Sequence, residues 1–325
     1  MHVFIDTNIL LNFFRFSKDD LDALNDVFAS HEHGAATVYL TEQVRDEFRR
    51  NRETTIKDAL KRFKSTQFAV QLPSFMKDYE EFLEIKKMAG ALQKKASDIL
   101  ERANADIANQ RLFADGLINE IFNKSTIIKT TDEVYQSACQ RMGIGNPPGK
   151  NRSIGDAINW IILLDSVPDG EDLHIISEDG DFFSNLDDQR VHPFLEQEWR
   201  EKKESDLRIY RTLSGFLDEH FDGVAFTFDK DKDALVDDLA HAGSFAASHN
   251  LIAKLEDYGY FSLNEVKRIL RAAHENGQFG SIIGDDDVLD FLTRVAIPRR
   301  HEIDQVDFIE ILDGVAEKQA KRQAD

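Results

Sequence analysis

The stretch His2-Val3-Phe4-Ile5-Asp6-Thr7-Asn8-Ile9-Leu10-Leu11 decides how the rest of the chain is read. A short apolar run with β-branched members stops at an acid, and Ile9, Leu10, Leu11, Phe13 and Phe14 follow at once. This pattern predicts a buried strand running directly into a helix. Beyond it, a helix is expected from about Lys18 to Ala29, ending near Gly34, and a second strand from Ala36 to Leu40. Thr41 is placed to cap a further helix whose apolar face carries Val44, Phe48, Leu60 and Phe63.

From about Lys57 to Gln140 the pattern is helical and charged, broken only by Pro73, Gly90 and Gly116, and reads as a long helical insertion. The turn-rich run Gly143 to Ser153 ends it. Ser153 is placed to cap a helix with Ile154, Ala157, Ile158, Ile161 and Leu164 at helical spacing. Leu173 to Ser177 then reads as a strand ending at Glu178-Asp179-Gly180-Asp181-Phe182, and Leu207 to Leu213 as an edge strand before a closing helix over Ser214 to Phe221. Strands alternating with helices in this order predict an α/β fold with a parallel sheet covered by helices. Residues from 223 carry another pattern, with helices expected over Lys232–Asn250, Leu251–Tyr258, Ser262–Asn276 and Asp285–Val295 and a polar, fraying end from Glu317. The expected division is 1–222 for the sheet domain, with the insertion at about 57–140, and 223–325 for a small helical module.

Composition narrows the class. With 325 residues and 42% apolar content the chain can fill a core, while one cysteine, Cys139, excludes an intramolecular disulfide framework and a thiolate zinc site. The opening run is interrupted by Asp6, Asn8, Asn12 and Arg15, so neither a secretory apolar region nor a membrane span is expected there, and the protein is read as cytoplasmic. A formal charge of −20 speaks against a general polyanion binder. Against that overall balance, Arg45 to Lys64 gathers eight Lys and Arg with four acids. The segment reads equally as a solvated helix face laced with i,i+4 pairs.

The carboxyl ends of parallel strands share one edge of a sheet, so Asp6 and Asp179, each just past an apolar run, are expected close together. Asp156, in the first turn of one helix, and Glu47, in the first turns of another, can point into the same crevice. Gathered carboxylates raise one another's pKa values unless cations neutralise them. Magnesium or manganese held by Asp and Glu oxygens activates a water and stabilises the leaving oxygen of a phosphodiester, with two ions roughly 3.5–4 Å apart in many nucleases.

Phe4-Ile5-Asp6-Thr7-Asn8-x-Leu10 resembles the opening of PIN domains, and Ile176-Ser177-x-Asp179-x-Asp181-Phe182 resembles their late motif. Val44-x-x-Glu47 and Gly155-Asp156 fall between them in the order the resemblance requires, which spans Met1 to about Phe221. The resemblance implies a Rossmann-like fold and a Mg2+- or Mn2+-dependent ribonuclease, or less often a structure-directed DNA nuclease. It implies Asp6, Glu47, Asp156 and Asp179 as the acidic set, Asp181 as an auxiliary ligand, and Asn8 and Ser177 as orienting groups. Position and charge add Arg50, Lys150 and Arg152 as candidates to hold phosphates. The chain is longer than the small toxin members of that family and is more similar to its larger, insertion-bearing members, which points to regulation or a larger assembly.

Other readings stand beside this one. An acid after a buried strand also serves as a helix N-cap, Asp156 as a first-turn acid favoured by the helix dipole, and Glu47 as a solvated neighbour of Asp46 and Glu53. Gly145-Asn-Pro-Pro-Gly149-Lys150-Asn151 approaches a phosphate loop, but its spacing is short, two prolines remove donors and Asn151 stands where a hydroxyl belongs. Asp229-Lys-Asp231-Lys-Asp233 opens like a calcium loop, yet Ala234 replaces the turn glycine and Ala240 the bidentate Glu. A catalytically silent binding or scaffold protein is the rival class, and a small-molecule phosphatase a third. The C-terminal module, with Arg294 to His301 and amphipathic helices, is expected to carry a protein partner or a self-association contact.

Overall fold

The computed structural model describes residues 1–29, 36–65, 73–149, 153–187, 189–221, 224 and 226–324. Five strands form one all-parallel sheet: β1 (His2–Ile5), β2 (Thr37–Thr41), β3 (Ile127–Ile128), β4 (Leu173–Ile176) and β5 (Leu207–Tyr210), in the order β3-β2-β1-β4-β5. Val3, Phe4 and Ile5 are fully buried, as expected for a central strand covered by helices on both faces. β1 pairs with β2 on one side and with β4 on the other, Phe4 opposite Ile175 and Ile5 opposite Ile176. The chain therefore builds outward from β1 to β3, then returns to the opposite side of β1 for β4. That reversal makes the carboxyl ends of β1 and β4 the topological switch point, where open α/β sheets bind their ligands.

The helices of this part are α1 (Thr7–Asn12), α2 (Lys18–Phe28), α3 (Glu42–Ser65), α4 (Glu80–Ala108), α5 (Phe113–Lys124), α6 (Asp132–Gly143), α7 (Gly155–Ser166), α8 (Pro193–Lys203) and α9 (Leu213–His220). Local chemistry places several starts. Ser17 accepts from the Asp20 N–H, Thr41 from Val44 and Thr212 from Gly215. The region read as helical throughout, 57–140, contains β3, which pairs with Leu40 and Thr41 of β2. A two-residue strand has no periodicity of its own, and its partner alone makes it visible. Ala114, Leu117, Ile118 and Ile121 of α5 also lie in the same apolar core as the sheet, whereas α4 buries only Ala96. Arg52 of α3 joins α5 through two bonds to Asp115, at 2.7 and 2.6 Å, both side chains buried.

The remaining helices are α10 (Phe228–Ala240), α11 (Phe245–Leu255), α12 (Leu263–Glu275), α13 (Gly277–Gly280), α14 (Asp286–Val295) and α15 (Val306–Ala324). They enclose a second apolar core built from Val236 to Val315. Two sequence expectations change here. The stretch Lys232–Asn250 is two helices, because Asn276 bonds the Leu239 and Ala242 carbonyls and Ser244, accepting from the Ala247 N–H, caps a new start at Phe245. The end from Glu317 stays helical to Ala324, with Lys321 on Glu317 and Arg322 on Asp290.

The two cores meet through specific contacts. Phe16 packs edge-on to Phe226 and Phe228, Arg15 donates to the Asp257 carbonyl at 2.7 Å, and Asp20 accepts from the Thr227 N–H at 2.8 Å. The Arg211 guanidinium sits between the rings of Phe183 and Tyr260, 3.6 and 4.6 Å from their centroids.

Candidate active site

Asp6 is the first residue past β1, and its backbone N–H still bonds the Ile176 carbonyl of β4 at 3.0 Å. One carboxylate oxygen caps α1 by accepting from the Thr7 N–H at 2.7 Å. The other accepts from Asn8 Nδ2 at 2.9 Å and from the Ser177 hydroxyl. Ser177 Oγ in turn accepts from the Asp179 N–H at 3.0 Å, and Asp179 accepts from the Asp181 N–H at 2.8 Å. Asn8 also accepts from the Glu178 N–H. The two motif ends are thus laced together by short side-chain bonds, so the capping role and the shared site are one arrangement. Asn8 and Ser177 both donate to the Asp6 carboxylate.

Asp6, Asn8, Glu47, Ser153, Asp156, Asp179 and Asp181 line one cleft at this edge. All five acids singled out from sequence are brought together across 175 residues of chain by β1, β4, α3 and α7. Glu47 arrives from the first turns of α3 and accepts from Gln43 one turn before it at 3.2 Å. Gly155 lets Gln43 approach: a Cβ there would lie 2.6 Å from Gln43 Nε2. Gly149, at a φ of +123° that favours glycine, donates its N–H to Asp181 at 3.0 Å. The preceding turn is held by Arg141, which bonds the Pro147 carbonyl and the Glu198 carboxylate, itself a partner of the Trp160 indole.

Electrostatics set this cleft apart. Burial, followed by repulsion from Asp6, Asp179, Glu47 and Asp181, pushes Asp156 up to about 8. Asp6 is pushed up to about 6, mainly by burial, with the bonds from Ser177 and Thr7 opposing and the charges of Asp179 and Glu47 adding to the rise. The named influences on Asp156 all disfavour its charge, and the remedy chemistry offers such a donor set is a hard cation. Among the described residues, no three or more His, Cys, Asp or Glu side chains already stand at coordinating geometry. The donor types and their convergence fit Mg2+ or Mn2+.

One sequence assignment comes out differently. Ser153 does not cap α7, whose N-cap is Ile154; it lines the cleft instead, a role that nothing in its local sequence distinguishes. Arg50 lies exposed on α3 nearly a turn past Glu47, outside the residues that line the cleft. Lys150 and Arg152 lie outside the described residues. Sequence reasoning missed Gln43 and Gly149, although the glycine-rich turn around 143–149 marked the second.

A family model described as PIN domain matches residues 3–182, more than half of the chain, from β1 through the turn after β4. No curated protein and no solved structure matches the chain. Among the described residues no helix is long and apolar enough to cross a membrane.

Proposed function

The chain belongs to the PIN-domain family, a nuclease-type family generally dependent on divalent metal, and from that premise we propose that it is an endoribonuclease using Mg2+ or Mn2+ on RNA in the cytoplasm. The observation that carries this reading is the convergence of Asp6, Glu47, Asp156, Asp179 and Asp181 on one cleft at the sheet's switch point. Asp6, Glu47, Asp156 and Asp179 would hold the metal, with Asp181 auxiliary. A bound ion would supply an activated water and stabilise the charge that develops on the leaving oxygen. The chain's own part is positioning. Ser177 and Asn8 hold the Asp6 carboxylate in one orientation, Gln43 holds Glu47, and Gly149 holds Asp181. Arg50, Lys150 and Arg152 are proposed to meet phosphates, because an RNA backbone would otherwise face a chain of formal charge −20.

A catalytically silent PIN-like scaffold is the second reading, favoured by that same charge and by acids not yet at coordinating geometry. The C-terminal module is proposed to serve a protein partner in either case. One assay separates the readings: single-stranded RNA, transfer RNA and single-stranded DNA are incubated with the protein in Mn2+, Mg2+ or chelator, beside Asp6→Asn and Asp179→Asn, and resolved on a denaturing gel. Cleavage of RNA that needs metal and is lost in both variants is expected. Cleavage that survives chelator or either substitution overturns the assignment. No cleavage, with a Mn2+-induced rise in melting temperature that is the same in wild type and Asp6→Asn, leaves the scaffold.

A further inference from the structure

One acid of the late motif faces away from the cleft. Glu178 stands between Ser177 and Asp179, yet it lies outside the residues that line the acid cluster. Its polar groups are held from different sides. The N–H donates to Asn8 Oδ1 at 3.3 Å, the carbonyl accepts from Arg211 Nη1 at 3.1 Å, and the carboxylate accepts from Asn12 Nδ2 at 2.8 Å. The C-terminal module closes on the same carboxylate, where a Cβ on Gly259 would lie 2.6 Å from Glu178 Oε2.

Arg211 meets this segment at both ends. It follows β5, whose Tyr210 pairs with Ile176, so it stands beside the exit of β4. While Nη1 holds the Glu178 carbonyl, the guanidinium lies 3.6 Å from the centroid of the Phe183 ring. Asp179 and Asp181 lie between those two contacts. Tyr260 of the module backs the guanidinium at 4.6 Å and is itself met by Arg299, which donates to its hydroxyl at 3.4 Å. A planar guanidinium between two rings has few orientations left, a restraint that a lysine ammonium does not reproduce.

That restraint opposes a force. The charges of Asp179 and Asp181 are among those that disfavour an ionised Asp156, so the segment carrying them is repelled by the rest of the cluster until a cation joins it. A hard divalent ion in turn holds only donors that keep their geometry, and partners one bond behind the ligands govern its affinity. We propose that Arg211 is a positioning residue that clamps the segment 178–183 and so sets Asp179 and Asp181 for the metal, and that Tyr260 completes the clamp. The C-terminal module is then part of the support of the cleft. The role toward metal rests on the function proposed above; the clamp itself does not.

Two measurements on the full-length protein test it. In metal-free protein, hydrogen–deuterium exchange of a peptide spanning 177–183 is expected to accelerate on the order of tenfold in Arg211→Met and in Tyr260→Ala. It should keep the wild-type rate in Tyr260→Phe, which retains the ring. By titration calorimetry, the Mn2+ dissociation constant is expected to rise about tenfold in Arg211→Met and by a similar factor in Arg211→Lys, which keeps the charge without the planar fork. Asp20→Asn weakens the contact between the two cores at Thr227 and should leave both readouts as in wild type. Unchanged exchange in Arg211→Met overturns the clamp, whether or not metal binds. Faster exchange with unaltered Mn2+ affinity overturns the positioning role, and so does an effect of Asp20→Asn as large as that of Arg211→Met. A wild type that binds no Mn2+ refutes the proposed function and the role toward metal with it, while the exchange rates still decide the clamp.

Discussion

Among the places where this molecule buries carboxylates, two handle them in opposite ways. At the α3–α5 junction, Asp115 is 4% exposed and meets Arg52 in a paired, two-bond contact. In the cleft at the switch point, Asp6 is 5% exposed, and the influences on Asp156 are burial and four other acids. A buried charge with its own cation is part of the architecture. A buried group of acids that disfavour one another's charge is held there by the fold at a cost, and the fold gains when a cation arrives. The contrast sets the second place apart as the candidate site without any appeal to the family.

The sharpest way to break that contrast is to neutralise one acid in each place. Asp156→Asn is expected to lower metal-dependent cleavage on the order of 10²–10³-fold or more, while the metal-free melting temperature holds or rises because a repulsive group has gone. A variant that cleaves normally, or melts well below the wild type, would put Asp156 with the architecture. Asp115→Asn is expected to do the reverse. It leaves Arg52 buried without its counter-charge, costing about 3–5 kcal/mol in denaturant unfolding, with cleavage per folded molecule kept. A cost under about 1 kcal/mol would mean that Arg52 finds another partner.

Proton linkage sharpens the same comparison. Asp156 at about 8 and Asp6 at about 6 bind protons more tightly in the folded protein than at their ordinary 3.8. That contribution to stability is full below pH 3.8 and is lost as pH rises through 6 and then 8. Without metal, the melting advantage of Asp156→Asn over wild type should therefore widen between pH 5 and pH 8.5. With Mg2+, the ion must displace those protons, so its stabilising effect on wild type should shrink as pH falls from 8 to 6. Flat curves in both titrations would mean that the acids do not share one field.

The smallest expected effect concerns Glu47, the acid whose solvated reading was equally strong in the sequence. Gly155→Ala pushes Gln43 from its place against Glu47. A few-fold fall in cleavage is expected, with stability changed by no more than about 0.5–1 kcal/mol. If cleavage is unchanged while Glu47→Gln abolishes it, Glu47 acts without its tether.

Much of this was legible because local patterns carry it. A buried run ending in an acid reports a strand and its exit, and two such exits in a parallel sheet share an edge. Hence β1, β4, Asp6 and Asp179 follow from the residues alone, as does the cap at Thr41. The sequence left Glu47 balanced against Asp46 and Glu53, because all three sit in one helix and only the direction each faces separates them. It hid β3, whose two residues become a strand by pairing with β2, and it set Ser153 as a cap, because hydroxyl residues at helix starts look alike.

What the sequence determined by itself is the class of fold and the strand exits at Asp6 and Asp179, since these depend on periodicity and on residue type. What only the tertiary structure decided is that five acids far apart in the chain line one cleft and that Asp115 does not belong with them. Those are matters of which groups face each other, and burial and charge act through distances that the linear order does not contain.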